Sequence, residues 1–196
     1  YSIDESFLDL TGMEHRDLIE YGQGIRATVK RWTGIPTCVG IGPTKTLAKL
    51  ANFAAKKALI DGTSVCDLRD QEVRDKLMTR TPVDEVWGIG RRSAAKLTAL
   101  GVHSVADLRD MDTKRARSLL TVTGERIIHE LRGMACMSLD LLEEPQKGLA
   151  VTRSFGQPVI GKDELLSALV TYVTRAGEKL RRGGLVAGHM QVFART

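Results

Sequence analysis

The sequence lacks the features of a membrane protein, a disulfide-linked scaffold or a zinc protein. Within its 196 residues no apolar run approaches the roughly 20 residues that a membrane-spanning helix needs. The three cysteines (Cys38, Cys66 and Cys136) are far apart and odd in number, which argues against a disulfide framework and fits a reducing cytosol. The four histidines are also scattered, and no Cys/His spacing suggests zinc. We see no signal peptide, repeat or low-complexity segment, and we expect a cytoplasmic globular protein with no membrane partner.

Positive charge is present in slight excess, and its distribution is uneven. The formal net charge is +5, and residues 151–196 carry seven Lys or Arg against three Asp or Glu. A basic end region is compatible with a polyanionic partner such as nucleic acid. A charge this small fits a role in solubility alone equally well.

Hydrophobic periodicity predicts that the first third of the chain is α/β. Residues 1–10 alternate with a period near two around Asp4-Glu5-Ser6, which predicts two short strands joined by a tight turn. A helix is predicted over 14–33 from apolar residues at helical spacing. Strand, helix and strand are then predicted over 37–42, 44–59 and 63–68.

After Arg69 the pattern changes to short helices separated by glycines. They are predicted over 70–79, 83–87, 91–100, 104–110, 113–120 and 124–132. Residues 138–149 are acidic, contain proline and glycine, and are interpreted as a linker. The last part predicts a strand, a helix and a strand over 150–156, 162–182 and 186–194. Because the chain starts inside one strand and stops after another, we expect both ends to be cut.

Two adjacent carboxylates, Asp4 and Glu5, interrupt the first apolar run. On a strand they would point to opposite faces, but at a turn they can converge on one point. Carboxylate oxygens are ligands that Mg²⁺ prefers, and a two-metal phosphoryl-transfer site needs such groups. The alternative is a hairpin turn whose two carboxylates face solvent. Considered without other evidence, the Asp4-Glu5 pair is better explained by this alternative.

A second motif is GIGPTKTLAKLANFAAKK (40–57), a predicted strand, a glycine-containing turn and a helix. It is not a Walker A motif, because Thr44 precedes the lysine where that pattern requires glycine. Lys45 and Lys49 are four residues apart and share a helix face. A helix start with two such lysines favours an anion such as a triphosphate. An amphipathic helix whose lysines face water is an equal alternative.

The most specific local motif is VDEVWGIGRRSAAKLTALGVHSVADL (83–108), which is typical of a helix-hairpin-helix. Glycines in the hairpin let a phosphate approach the backbone, and N–H groups at the start of the second helix donate to it. Contacts of this kind position a duplex without reading bases. The alternative is an ordinary helical turn with Ile89 in the core, which is compatible with phosphate binding. The candidate contacts are Gly88, Ile89, Gly90, Arg91, Arg92 and Lys96.

Two weaker basic features lie in the last part of the chain. Arg153 and Ser154 stand in the predicted strand 150–156, where they could face a backbone phosphate. Arg181 and Arg182 close the long helix and can simply offset its dipole. Each feature alone is better explained as solvated surface.

Taken together and in this order, these motifs resemble one family. YSIDESFLDLTG, VGIGPTKTLAKLAN, PVDEVWGIGRRSAAKL and TRSFG resemble the Y-family translesion DNA polymerases. Within them the sequence is most similar to the catalytic subunit of bacterial DNA polymerase V and its plasmid relatives, the UmuC, MucB and ImpB group. The resemblance spans essentially the whole chain.

The resemblance implies a multidomain α+β fold. Residues 1–68 would be the C-terminal part of a polymerase palm with a mixed sheet, 69–137 a small all-α thumb, and 150–196 half of a little finger after the linker 138–149. Asp4 and Glu5 match two catalytic metal carboxylates, and Lys49 matches the palm lysine that contacts the incoming triphosphate. Lys45 is a less certain companion.

The resemblance also implies the chemistry and the partners. The primer 3′-hydroxyl would attack the α-phosphate of a deoxynucleoside triphosphate, assisted by two Mg²⁺ ions. Primer–template DNA, a UmuD′-like accessory subunit, a recombinase filament and a sliding clamp would be partners. The family's first metal Asp, steric gate and fingers have no match here, so we expect this chain alone to be inactive. The competing interpretations are a non-catalytic DNA-binding module and, less well supported, a metal-dependent nuclease.

Overall fold

In the computed structural model, the structure describes residues 4–13, 15–60, 62–138 and 148–194. Their regular structure consists of seven α-helices, one 3₁₀ helix and two short parallel strands. By their contacts, residues 1–139 form one unit and residues 140–196 another. Along the described residues, no helix is both long enough and apolar enough to cross a membrane.

The first unit begins with a β–α–β arrangement that α1 (Leu18–Thr33) covers. Strands β1 (Val39–Ile41) and β2 (Val65–Asp67) pair in parallel, and α2 (Lys45–Lys56) connects them. The helix packs very closely on β1, because a Cβ atom on Gly40 would lie only 2.1 Å from the Asn52 backbone nitrogen. The predicted apolar face of α2 is buried as expected, at Leu47, Leu50, Ala51 and Ala54.

Short helices form the rest of the first unit. In chain order they are α3 (Gln71–Arg80), a 3₁₀ helix (Val83–Glu85), α4 (Arg91–Thr98), α5 (Val105–Asp110) and α6 (Thr113–Leu131). The predicted helices 113–120 and 124–132 run on as one element, kinked at Thr121, where φ is 67°. Apolar side chains of these helices and of α2 share one continuous core.

The second unit contains one long helix, α7 (Lys162–Arg182), close to its predicted bounds. None of its described residues is buried, although it carries Leu165, Leu166, Val170 and Val173. Its last turn holds Lys179, Arg181 and Arg182, whose charges offset the helix dipole.

The strands predicted in three segments do not form wherever the residues are described, so these predictions are wrong there. Residues 4–10, 150–156 and 186–194 lie in turns or irregular structure. A strand needs a neighbour for its backbone N–H and C=O groups, and among the described residues only β1 and β2 provide regular pairing for each other. Near the first segment, Thr11 bonds the Asp9 carboxylate through its backbone N–H (2.9 Å) and its hydroxyl (2.6 Å), which stabilises a turn. Most of the predicted linker 138–149 lies outside the described residues.

Candidate functional site

A lysine and a carboxylate from the first two motifs meet at the surface of the first unit. Asp4 and Glu5 are exposed, and Asp4 stands in a turn. Lys49 of α2 donates to Glu5 Oε1 and forms an ion pair with it, although 44 residues separate the two. The side chains keep 22% and 40% of their surface exposed, so a ligand can reach both. The structure therefore places Lys49, a candidate for binding a phosphate, beside Glu5, a candidate for binding a metal ion.

Lys45 has a different environment from Lys49. The residue is only 8% exposed, its ammonium donates to the Ser138 carbonyl, and it lies 5.6 Å from the centroid of the Phe7 ring. Neither interpretation of the motif anticipated this, because both left the ammonium accessible. Lys45 fastens the start of α2 to the segment after α6.

The carboxylates fit a metal site in part. Asp4 and Glu5 supply the hard oxygen donors that Mg²⁺ prefers. Across the described ranges, no group of three or more His, Cys, Asp or Glu residues is placed to hold a metal ion. One or two carboxylates with substrate phosphates and water make a typical Mg²⁺ site, so Asp4 and Glu5 can supply part of the protein side of such a site.

The hairpin between the 3₁₀ helix and α4 has the predicted form. Gly88 adopts a left-handed φ of 91°, and a Cβ atom there would lie 3.0 Å from Ile127 Cδ1. Ile89 is buried, as the core alternative required. Gly90 is extended and precedes α4, and a Cβ atom on it would meet nothing within 4 Å. The hairpin therefore has one glycine, Gly88, whose left-handed backbone favours glycine, and a second, Gly90, that stands beside open space.

The outer side of this hairpin is open and basic. Helix α4 begins without a side-chain cap on Gly90, so the first N–H groups point out of the helix start. Arg91, Arg92 and Lys96 are exposed on the same short helix. A phosphate at this position would meet backbone donors and positive charge together.

The basic residues of the last motif lie in the second unit. Arg153 and Ser154 are exposed and lie in irregular structure rather than a strand. Arg153 lines a surface groove with Arg175, Lys179 and Arg182, and Glu178 is the one acid among the residues that line it. The groove is an additional candidate site for an anion.

Sequence reasoning missed three residues that hold the site together: Phe7, Trp87 and Glu130. Phe7 and Trp87 pack ring against ring. Glu130 is fully buried in α6, and its carboxylate accepts hydrogen bonds from backbone N–H groups of α2 and of residues 136–137. The one available signal was a glutamate flanked by Ile127, Ile128 and Leu131 at core positions.

Comparison with known proteins gives a consistent result along the chain. Sequence models match residues 1–52 (impB/mucB/samB family), 70–102 (IMS family HHH motif) and 146–196 (impB/mucB/samB family C-terminal domain). Together the matches cover more than half of the chain, and the second confirms the helix-hairpin-helix.

Individual proteins agree with the family matches. The chain is 42% identical to Protein UmuC of Salmonella typhimurium, over 100% of this chain and 47% of that protein. It is 27% identical to DNA polymerase IV 1 of Bacillus subtilis, over 99% of this chain and 46% of that protein. The chain therefore spans about half the length of the curated relatives it matches.

A solved structure shows the fold. A DinB family error prone DNA polymerase from Sulfolobus solfataricus superimposes with a TM-score of 0.50 at 22% identity, over 64% of this chain and 37% of that one. The helix-rich fold with its small parallel sheet is therefore similar to part of that structure. The chain belongs to the impB/mucB/samB family, and the predicted relationship to the UmuC, MucB and ImpB group of Y-family polymerases is confirmed.

Proposed function

We propose that the natural protein is a DNA-directed DNA polymerase that carries out error-prone translesion synthesis in DNA repair. The observation that carries the proposal is the meeting of Glu5 with Lys49 at an exposed position, in a chain of this family. With Glu5 as a proposed metal ligand and Lys49 as a proposed phosphate-binding group, the ion pair supports the proposal, because transfer of a nucleotide requires both groups close together. The family match also supports a cytoplasmic location and a role in the SOS response to DNA damage.

The proposed domains follow the family pattern. We assign residues 1–68 to the palm, 69–137 to the thumb, 138–149 to a linker and 150–196 to the little finger. The small parallel sheet and α2 support the palm, and the hairpin at Gly88–Gly90 supports the thumb. The basic groove lined by Arg153 and α7 supports a DNA-contacting role for the last part.

In the proposed reaction the primer 3′-oxygen forms a bond to the α-phosphorus and gives up its proton to water. The bond between the α-phosphorus and the α,β-bridging oxygen breaks, and pyrophosphate leaves. Asp4 and Glu5 would hold Mg²⁺, which when bound stabilises the attacking and leaving oxygens. Lys49 would bind the triphosphate and orient it next to these carboxylates. Lys45 is the weaker candidate for the nucleotide, because its buried ammonium is already bonded to Ser138.

The proposed DNA contacts are independent of base sequence. Gly88, Ile89 and Gly90 form the hairpin, and Arg91, Arg92 and Lys96 add charge for the backbone phosphates. Arg153 and Ser154 would contact the duplex from the last part of the chain. A UmuD′-like subunit, a recombinase filament and a sliding clamp are proposed as further partners from the family relationship.

A non-catalytic DNA-binding module is the second candidate, and the hairpin favours it. That motif needs only an accessible backbone and positive charge, and it would bind DNA whatever Asp4 and Glu5 do. The two functions differ in what Asp4 contributes: catalysis in a polymerase, and at most stability in a binding module.

Primer extension by the natural protein at full length tests the proposal, with accessory factors and templates with or without an abasic site. The variant Asp4→Ala should lose extension and keep its affinity for primer–template DNA. Asp9→Ala is the matched control, because Asp9 is an exposed carboxylate of the same segment that bonds only Thr11 in the described hydrogen bonds. Binding without extension in wild type and variant alike would leave the binding module as the function.

A further inference from the structure

A buried carboxylate of α6 holds the start of α2. Glu130 lies at the C-terminal end of α6 and is 0% exposed. Its Oε2 accepts a hydrogen bond from the Thr46 backbone N–H at 3.0 Å. This N–H belongs to the first turn of α2 and has no partner within its own helix.

The other carboxylate oxygen of Glu130 binds the segment that follows α6. Oε1 accepts from the backbone N–H groups of Cys136 at 2.7 Å and Met137 at 3.1 Å. A buried carboxylate is costly unless donors satisfy it, and three backbone donors satisfy this one. Glu130 thus bridges two segments, neither of which it belongs to.

Two further contacts tie the same three parts together. The Thr44 hydroxyl donates to the Glu130 backbone carbonyl at 2.9 Å and also accepts from the Leu47 N–H at 3.2 Å. Lys45 donates to the Ser138 carbonyl. Side chains at the start of α2 (Thr44 and Lys45) and in α6 (Glu130) therefore fix the first turn of α2 to α6 and to residues 136–138.

Lys49 stands one helical turn beyond this clamp. It is four residues after Lys45 on α2, and it is the residue that pairs with Glu5. An α-helix is stiff over one turn, so the place where its start is fixed determines where Lys49 stands. We propose that Glu130 is a positioning residue, which sets the place of Lys49 beside the metal carboxylates by clamping the first turn of α2. The inference rests on the proposed nucleotide role of Lys49.

The variant Glu130→Gln tests the clamp with little change in volume. An amide has only one acceptor oxygen, and its NH₂ group cannot accept a hydrogen bond. The variant therefore loses the hydrogen bonds either to Thr46 or to Cys136 and Met137. We expect the KM for the nucleotide to rise about tenfold, as for the loss of a hydrogen bond to a charged group, with kcat much less affected. Glu125→Gln is the matched control, because Glu125 lies on the same helix and pairs with Arg117 at the surface.

A double-mutant cycle separates positioning from general stability. If Glu130 acts through Lys49, adding Glu130→Gln to Lys49→Ala should raise the KM no further than Lys49→Ala alone. If the two substitutions instead raise the KM by factors that multiply, Glu130 does not act through Lys49 and the positioning role is wrong. If Lys49→Ala leaves the nucleotide KM unchanged, Lys49 does not bind the nucleotide as proposed. Hydrogen exchange then decides separately whether Glu130 clamps the first turn of α2.

Hydrogen exchange followed by mass spectrometry reads the clamp without any activity. In Glu130→Gln, backbone exchange should speed up in peptides covering residues 44–50 and 134–138 and stay unchanged elsewhere. Glu125→Gln should leave these peptides unchanged. Faster exchange throughout the first unit, or no change in these two segments, would contradict the clamp.

Discussion

Trp87 packs against Phe7, with ring centroids 5.8 Å apart and ring planes inclined at 44°. Phe7 closely follows the carboxylates at positions 4 and 5, and Trp87 immediately precedes the hairpin glycine Gly88. The proposed metal segment and the proposed DNA-binding hairpin therefore touch through one aromatic pair. A displacement of the hairpin would press directly on the segment that carries the carboxylates.

We predict that Trp87→Ala lowers the free energy of unfolding by about 2 kcal/mol, because both the buried ring surface and the aromatic contact are lost. Trp87→Phe, which keeps a ring against Phe7, should lose less than half of that. Urea unfolding of the natural protein measures both. Trp32→Ala is the control, since Trp32 is 76% exposed and should change stability little. Equal losses at the two tryptophans would show that the contact with Phe7 does not stabilise the fold.

The helices were predictable because their signals are local. The apolar spacing in 44–59 and in 162–182 follows the helix period, and a helix satisfies its own backbone groups. The strands depended on partners elsewhere. Residues 37–42 and 63–68 find each other and form β1 and β2, whereas 150–156 and 186–194 find no partner among the described residues and stay irregular.

Residues of the candidate site could be predicted only where the evidence for them lies within a single sequence motif. The lysine pair and the hairpin glycines each stand within one short stretch, and the structure gives Gly88 the left-handed conformation that such a hairpin needs. Glu130 and Thr46 are 84 residues apart, and the periodicity of one segment contains nothing about the other. The same holds for Lys45, whose bond to Ser138 removed it from the surface that its helix position suggested.

Two glycines of the first unit should respond in opposite ways to alanine. Gly40→Ala would drive a Cβ atom into the α2 backbone, 2.1 Å from the Asn52 nitrogen, and we expect a loss of about 3 kcal/mol or more of unfolding free energy. Gly24→Ala, in α1, meets nothing within 4 Å and should stabilise the protein by about 0.5–1 kcal/mol. Thermal unfolding of the two variants beside the wild type measures the expected loss of stability in Gly40→Ala and the expected gain in Gly24→Ala. A stable Gly40→Ala protein would contradict the close packing of α2 on β1.

Stability should fall in acid through the capping box of α5. The backbone N–H of Ser104 (2.8 Å) and then that of His103 (3.0 Å) donate to Asp107, and these bonds hold the pKa of its carboxyl below the usual range. A pKa that folding lowers contributes stability above the unfolded-state value, near 4, and this is lost as the pH falls through the folded value.

We therefore expect the urea midpoint to drop as the pH falls below about 4, and Asp107→Asn to weaken that drop while lowering the midpoint at neutral pH. Asp84→Asn, an exposed carboxylate of the neighbouring 3₁₀ helix, serves as the control and should leave the drop in place. Measuring urea midpoints across this pH range decides the matter. An unchanged acid dependence in Asp107→Asn would show that its hydrogen bonds do not stabilise the folded state.

The two hairpin glycines should separate DNA binding from folding. Gly90→Val adds a side chain where the structure leaves open space, so we expect the fold to persist and a phosphate to be kept away from the start of α4. Its affinity for DNA should fall by a similar factor for every sequence, because the contact is to the backbone. Gly88→Val should instead destabilise the protein, since φ is 91° there and the new Cβ atom lies 3.0 Å from Ile127.

Fluorescence anisotropy with several duplexes at two or more salt concentrations measures the effect, with urea unfolding run in parallel. Gly24→Ala is the matched control, because it changes a glycine of the first unit away from the hairpin and should leave affinity unchanged. Affinity should also fall steeply with ionic strength in the wild type and less steeply in Gly90→Val, since fewer phosphate contacts release fewer counterions. If Gly90→Val lost affinity only for particular sequences, the hairpin would be reading bases, and the phosphate-contact proposal would have to be given up.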